Sequence, residues 1–255
     1  NANAILDNIN SLAESKERDR IEGEALALRA YAYHFLVRAY AKPVNKYPDS
    51  PGVILRTSSS IEDLPRATVK EVYTQLVSDL ERACSLLKDN SASSKAYIGE
   101  NAAHGILARL YLDLGDETNG ILHAKAALTG VTLMDKTAYI GEFNEVNSET
   151  LWAFECTTDD NQFYLSLPSF WYYCDDDGTN VLDGYSSLRV SKNLIDLIDN
   201  SDVRKNQFPK NTTSGEFLRR PATTGGYLTK KIRSRDNKMG EGSFNMLRGS
   251  EMYLI

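Results

Sequence analysis

The sequence predicts a mainly α-helical protein. A scaffold of paired helices over residues 1–130 carries a loop-rich layer with one short strand and helix over 131–244. The start of a further repeat follows over 245–255, all within a single domain. Three observations predict this. Alanine-rich segments of helical period, each with start or stop signals, fill the first 130 residues. Beyond Gly130 that period gives way to alternation and to turn-rich, aromatic-rich stretches. It returns briefly at 191–199 and again near Asn245.

Residues 2–14 open the chain as a short helix with Ala2, Ile5, Ile9 and Leu12 on one side. The next segment, EGEALALRAYAYHFLVRAYA from Glu22 to Ala41, is helical and apolar around most of its circumference. At 100° per residue, Glu24, Ala27, Tyr31, His34 and Arg38 share one narrow stripe. Leu26, Leu28, Ala32, Tyr33, Phe35, Leu36, Val37 and Ala39 occupy the rest. So wide an apolar surface implies neighbours on two sides, with alanines allowing close approach. Arg29 falls in the middle of that surface, where an unpaired guanidinium is very costly, so a carboxylate or several carbonyls must meet it. Asp79, on the flank of the next helix's apolar stripe, is the expected partner in a structural ion pair.

Lys42 to Arg66 is Pro- and Ser-rich and lacks a period, a connection of a length expected to be either ordered and functional or a linker. Thr68-Val69-Lys70-Glu71 then forms a capping box. Behind it Val69, Val72, Tyr73, Leu76, Leu80, Ala83, Cys84 and Leu87 make an apolar stripe of helical spacing. Residues 100–114 form another alanine-rich helix stopped by Gly115. Asp116 caps the next, which runs to a stop at Gly130. Five helices in antiparallel pairs suggest a tetratricopeptide-like repeat. Gly23-Glu24 and Gly99-Glu100 echo one another as openings of alanine-rich second helices. Leu151 to Cys156 alternates as a strand, and Ser191 caps a helix over 191–199.

The net charge of −6 argues against nucleic-acid binding. No run approaches the roughly 18 apolar residues of a membrane span. Three widely spaced cysteines form no CxxC pair. Asn1-Ala2-Asn3-Ala4 does not open a signal peptide, and Leu247–Ile255 reads as a helical start without a stop. The sequence is therefore expected to be part of a longer chain.

In this order the motifs resemble the SusD/RagB family of outer-membrane nutrient-binding lipoproteins. EGEALALRAYAYHFLVRAYA is similar to that family's first Ala/Arg/aromatic helix, and KPVNKYPDSPGVIL to the connection behind it. PRATVKEVYTQLVSDLERACSLL and NAAHGILARLYLDLGD look like its next two helices, and SETLWAFE like its short strand. LRVSKNLIDLIDNSDVRKNQF resembles its later helix and Asp-x-Arg turn, and LRGSEMYLI the start of its C-terminal repeat. The resemblance implies a non-catalytic surface protein that captures glycans or related nutrients and hands them to a SusC-like TonB-dependent transporter. Its membrane attachment would be a lipid anchor lying outside this sequence.

Ser169-Phe170-Trp171-Tyr172-Tyr173 is the leading ligand candidate, because sugar C–H faces stack on aromatic rings. Consecutive rings in a polar context cannot all enter one core. Trp171, Tyr172, Tyr173, Asp175 and Tyr185 are the expected ligand residues, with Tyr164 and Phe163 as lesser candidates. The alternative is that Trp171 plugs a junction between loops and helices. Asp175-Asp176-Asp177-Gly178-Thr179 opens like a calcium loop, but position 186 is Ser186 where the twelfth-position glutamate is required. A solvated acidic turn, or an acid that binds sugar hydroxyls, fits better, and no cofactor is expected. His34, His104 and His123 lack metal-ligand spacing and read as scaffold residues. Asp202 and Arg204 read as a turn ion pair. No nucleophile elbow, P-loop or dinucleotide motif is present. The rival readings are a peptide-binding helical-repeat adaptor and a glycan hydrolase with paired carboxylates.

Overall fold

The computed structural model describes residues 1–141, 143–159, 170, 187–218, 226–232, 234–235 and 240–255. It is mainly helical, built of tetratricopeptide-like pairs, and divides into two compact units. The first comprises Asn1–Thr132, Glu149–Trp152 and Leu247–Ile255; the second comprises Leu133–Ser148 and Ala153–Met246.

In the first unit, α1 (Ala2–Asn8) ends in a 3₁₀ turn, Ile9–Ser11. Helix α2 (Lys16–Tyr40) starts earlier than its apolar period suggests, because Ser15 caps it by accepting from the Arg18 amide at 3.1 Å. Helix α3 (Val69–Leu87) begins on the expected capping box. The Thr68 hydroxyl accepts from the Glu71 amide at 3.2 Å, and Glu71 Oε2 accepts from the Thr68 amide at 2.7 Å. All eight residues of its stripe are buried. Helix α4 (Glu100–Leu114) stops at Gly115 in the left-handed region, and α5 (Glu117–Ala127) is capped by Asp116.

Neighbouring helices run antiparallel. A Cβ on Gly23 would lie 2.8 Å from Leu87 Cγ, whereas further along α2 Arg29 meets Asp79. Likewise Asn101 reaches the Ala127 carbonyl while His104 faces His123. The Lys42–Arg66 connection carries more order than its composition suggests. Pro51–Ile54 (β1) and Arg66–Thr68 (β2) pair antiparallel, with a register irregularity between Pro51 and Ile54.

Three sequence expectations are corrected. First, α2 buries Ala25, Leu26, Ala27, Ala30, His34 and Val37, while Leu28, Phe35 and Leu36 are 42%, 57% and 43% exposed. The buried alanines and the close approach at Gly23 let a neighbouring helix come near on that side. Second, Gly23 lies within α2 as that contact point, whereas Gly99 is an N-cap, so the two glycines are not equivalent repeat positions. Third, the helix expected from Asn245 is preceded by strand β4 (Gly242–Arg248), and α8 occupies only Gly249–Met252. The partner strand β3 (Thr150–Cys156) supplies the ladder for those backbone groups. Leu247 fills the notch left at Gly105, where a Cβ would come within 2.6 Å of Leu247 Cδ2.

Arg29 and Asp79 meet as a buried bidentate pair. Nε donates to Oδ2 at 2.8 Å and Nη2 to Oδ1 at 2.7 Å. The remaining hydrogen-bonding capacity is largely used. Arg29 Nη1 donates to Asn3 Oδ1 and the Thr57 carbonyl, and Gln75 Nε2 donates to Asp79 Oδ1. A second polar cluster joins α4 and α5. The Nδ1 atoms of His104 and His123 lie 2.8 Å apart, and Tyr111 stacks on His123 while donating to Glu81. Burial, and secondarily the charge of His123, lowers the His104 pKa to about 4.

Two predictions follow from these clusters. Asp79→Ala or Arg29→Met should destabilise the protein by about 3–5 kcal/mol in urea unfolding, because each strands a buried charge or its partners. The double variant Arg29→Met/Asp79→Leu should cost less than either single change; a larger, additive loss would deny the pairing. For His104, the folded pKa lies below the unfolded value of roughly 6.5, so below that pH the unfolded chain takes a proton that the fold refuses. Stability therefore falls as pH drops from about 6.5 toward 4. The slope of melting temperature against pH in that window should be shallower for His104→Gln than for the wild type.

Candidate functional site

The second unit has a small core of its own. Helix α7 (Lys192–Leu197), capped by Ser191, sets Ile195 against Phe208 and Tyr227. Val190, Ile198 and Phe217 pack around them. Phe217 stands edge-on to both Phe208 and Tyr227, with ring planes at 90° and 85°. Two isolated bridges, Val190 with Tyr227 and Lys210 with Phe217, fix the extended segments around this core. A 3₁₀ turn, Val203–Gln207, links α7 to those segments. Asp202 caps it by accepting from the Arg204 amide at 2.9 Å and also binds the Arg204 guanidinium. Those hydrogen bonds from Arg204 lower the Asp202 pKa to about 2. The Asp-x-Arg motif is thus a turn ion pair that sets the direction of the residues after it.

The turn forms a wall with a hollow on one side. This cavity, of about 450 Å³, is lined by Tyr139, Val190, Leu194, Ile198, Arg204, Gln207, Phe208, Thr229, Lys231 and Ile232. Apolar and aromatic surface dominates, with few polar groups, the general character of a small-ligand site. Gln207 is its most informative member. Only 4% exposed, it donates through Nε2 to the carbonyls of Tyr139 (2.5 Å) and Gly141 (3.1 Å), at the end of α6 (Lys136–Ile140). Two carbonyl acceptors fix which end of the amide carries the NH₂. Its Oε1 is buried and, among the described residues, accepts no hydrogen bond. Such an orphaned acceptor costs about 1–3 kcal/mol, and here it lies behind the cavity surface, shielded from solvent.

The first unit offers a contrasting hollow of about 300 Å³ between the end of α2, residues 41–45 and α4, bordered by Arg38, Tyr73 and Asp113. Here the polar groups answer one another. Asp113 Oδ2 lies 2.7 Å from His34 Nε2, accepts from Tyr73 at 3.0 Å and faces Arg38 at 3.6 Å. Burial raises the Asp113 pKa, but the hydrogen bonds and charges of His34, Tyr73 and Arg38 outweigh it, and the net shift is downward. The cluster ties α2, α3 and α4 together, in keeping with a scaffold role for His34.

Trp171, Tyr172, Tyr173, Asp175 and Tyr185, together with Phe163 and Tyr164, lie outside the described residues. Gln207, Tyr139 and Phe208 were not singled out by sequence. Their faint signal was Asn206-Gln207-Phe208-Pro209, a polar–aromatic step directly after the Asp-x-Arg turn. Among the described residues no cluster of three or more His, Cys, Asp or Glu could hold a metal ion, and no helix is long and apolar enough to cross a membrane.

Residues 1–112 match the SusD-like family model described as "Starch-binding associating with outer membrane". No functionally curated protein matches the chain. Among solved structures, the chain is similar to a SusD-like carbohydrate binding protein from Bacteroides vulgatus. The two are 27% identical with a TM-score of 0.81, over 99% of this chain and 53% of that one. A SusD superfamily protein from Bacteroides thetaiotaomicron shares the fold at 23% identity and TM-score 0.81, over 99% of this chain and 57% of its own. A laminarin binding SusD-like protein shares it at 20% identity and TM-score 0.74, over 99% and 62% respectively. The chain thus spans little more than half the length of these relatives. A family match over residues 1–112, joined to a shared fold across nearly the whole chain, makes this chain similar to SusD-like proteins.

Proposed function

We propose that the protein binds glycans at the cell surface without altering them and delivers them to a SusC-like TonB-dependent transporter of the outer membrane. The observation that carries this reading is the cavity of about 450 Å³ walled by apolar and aromatic side chains, with the polar side chains of Gln207, Thr229 and Lys231 among its lining. C–H faces of a saccharide ring lie against Tyr139 and Phe208, and the polar side chains take its hydroxyls. The description of the matching family and the carbohydrate-binding relative at 27% identity support the same class of ligand. Trp171, Tyr172, Tyr173, Asp175 and Tyr185 are assigned the role of an additional stacking and hydroxyl-binding surface. The 42–66 connection borders a groove of about 1050 Å³ lined by Leu55, Leu64, Arg66, Glu71 and Gln75 among others, and is assigned a part in ligand selection. A lipid anchor outside this sequence would hold the protein at the membrane.

Calorimetry against a panel of neutral α- and β-glucan oligosaccharides tests the reading. Binding should occur with no release of reducing ends. Leu194→Trp fills the hollow from an exposed position and should weaken binding at least about tenfold, or about 1.4 kcal/mol, with melting temperature unchanged. Trp171→Ala should weaken it by about 1–3 kcal/mol if the ring stacks on sugar. Turnover of the glycan, or binding of peptides alone, would reject the proposal.

A further inference from the structure

The wall that bounds the Gln207 cavity has a second hollow on it, with opposite chemistry. About 500 Å³ in volume, it is lined by Asn200, Lys205, Asn206, Phe208, Pro209, Lys210 and Lys230. The division of residues follows from local geometry. In the 3₁₀ turn, Arg204 and Gln207, three apart, line the first cavity, whereas Lys205 and Asn206 line the second. In the extended segment opposite, Thr229 and Lys231 line the first cavity and Lys230 the second, as alternation requires. The Lys230 amide donates to the Gln207 carbonyl at 2.9 Å, which joins the two segments into one partition.

Among the described residues, three lysines and two asparagines line this hollow with no carboxylate, in a chain whose net charge is −6. The acids of the adjoining turn are hydrogen-bonded to other groups, although Asp199 lies near enough to Lys205 to feel its charge. Asp199 accepts from the amide and hydroxyl of Ser201, and Asp202 holds Arg204. The lysines are also placed. Lys205 Nζ donates to the Ile198 carbonyl at 2.7 Å, which orients it and leaves two further N–H donors. Lys210 Nζ sits 4.7 Å above the centre of the Phe217 ring, its cross-strand partner. Among the described residues none of the three forms a salt bridge.

We propose that this hollow is an oxyanion subsite that gives the protein a preference for acidic saccharides, those bearing a carboxylate or a sulfate ester. The inference rests on the glycan-binding reading above and narrows its ligand class. Ammonium groups and asparagine amides together offer several donors to a compact anion, and the Phe208 ring supplies an apolar edge for the sugar that carries it.

The test compares charge at constant linkage. An oligogalacturonate is titrated calorimetrically against its fully methyl-esterified form, and a sulfated galactan oligosaccharide against its desulfated form, with inorganic sulfate as a bare-anion probe. At least one acidic ligand should bind about tenfold more tightly than its neutral counterpart, and added salt should shrink that difference. Lys210→Gln/Lys230→Gln should abolish the preference while leaving neutral binding and melting temperature unchanged; neither side chain makes a hydrogen bond that the fold needs. Which pair shows the preference separates carboxylate from sulfate. Equal binding of both members of each pair, or a preference that survives the double variant, overturns the subsite while the glycan reading stands. Inorganic sulfate binding as tightly as the sulfated sugar reduces the hollow to an adventitious ion only. Absence of binding to every saccharide, neutral and acidic, sinks the function itself.

Discussion

Placing one guanidinium inside the helical unit constrains everything around it. Arg29 cannot be desolvated there unless its donors are met, and the groups that meet them come from Asp79 on α3, Asn3 on α1 and the Thr57 carbonyl of the long connection. Asn3 in turn donates to the carbonyls of Arg56 and Ser58. Slipping α2 along α3 by one turn would strand the charge, and so would an unseated α1 or a rearranged connection. A buried pair of this kind is weak evidence of net stabilisation, since a well-packed apolar replacement is often as stable. Its contribution is registry, and registry explains how an otherwise irregular connection keeps a defined path over the helices.

Registry also makes the small-residue packing possible. Gly23 faces Leu87, Gly105 faces Leu247, and Gly249 faces Val131, each with a gap too small for another carbon. Such contacts tolerate almost no displacement, since a neighbour shifted by one residue would bring a Cβ into the gap. The first unit is therefore held by a polar clamp that selects the alignment and by glycine and alanine contacts that tighten it. Of the larger apolar side chains of α2, Leu26 and Val37 go inward, while Leu28, Phe35 and Leu36 turn outward.

This arrangement accounts for what could be read from the sequence. The α3 stripe and its capping box were legible because both depend on residues adjacent in the chain, and the partner of Arg29 was legible because desolvation leaves so few ways to bury a charge. The outward face of α2 was not. Periodicity separates apolar from polar but cannot say which of two apolar faces will meet a close neighbour. The Gly23 and Gly99 echo failed for a related reason: glycine serves both as a contact point and as a helix cap, and sequence does not distinguish them. The strand at Gly242–Arg248 takes its conformation from β3, some ninety residues earlier, which no local window contains. For the site, an aromatic cluster drew attention by composition. Gln207 became visible only when both ends of its amide could be followed to their surroundings.

The amide of Gln207 shows how the fold fixes a polar side chain in a cavity wall. Its NH₂ end is committed to the carbonyls of Tyr139 and Gly141, so the side chain cannot rotate to satisfy its oxygen at their expense. The unfilled acceptor is thus held in place by the fold and shielded from solvent, at a cost of about 1–3 kcal/mol. A cavity with fixed apolar and aromatic walls of this kind discriminates among small ligands chiefly by shape.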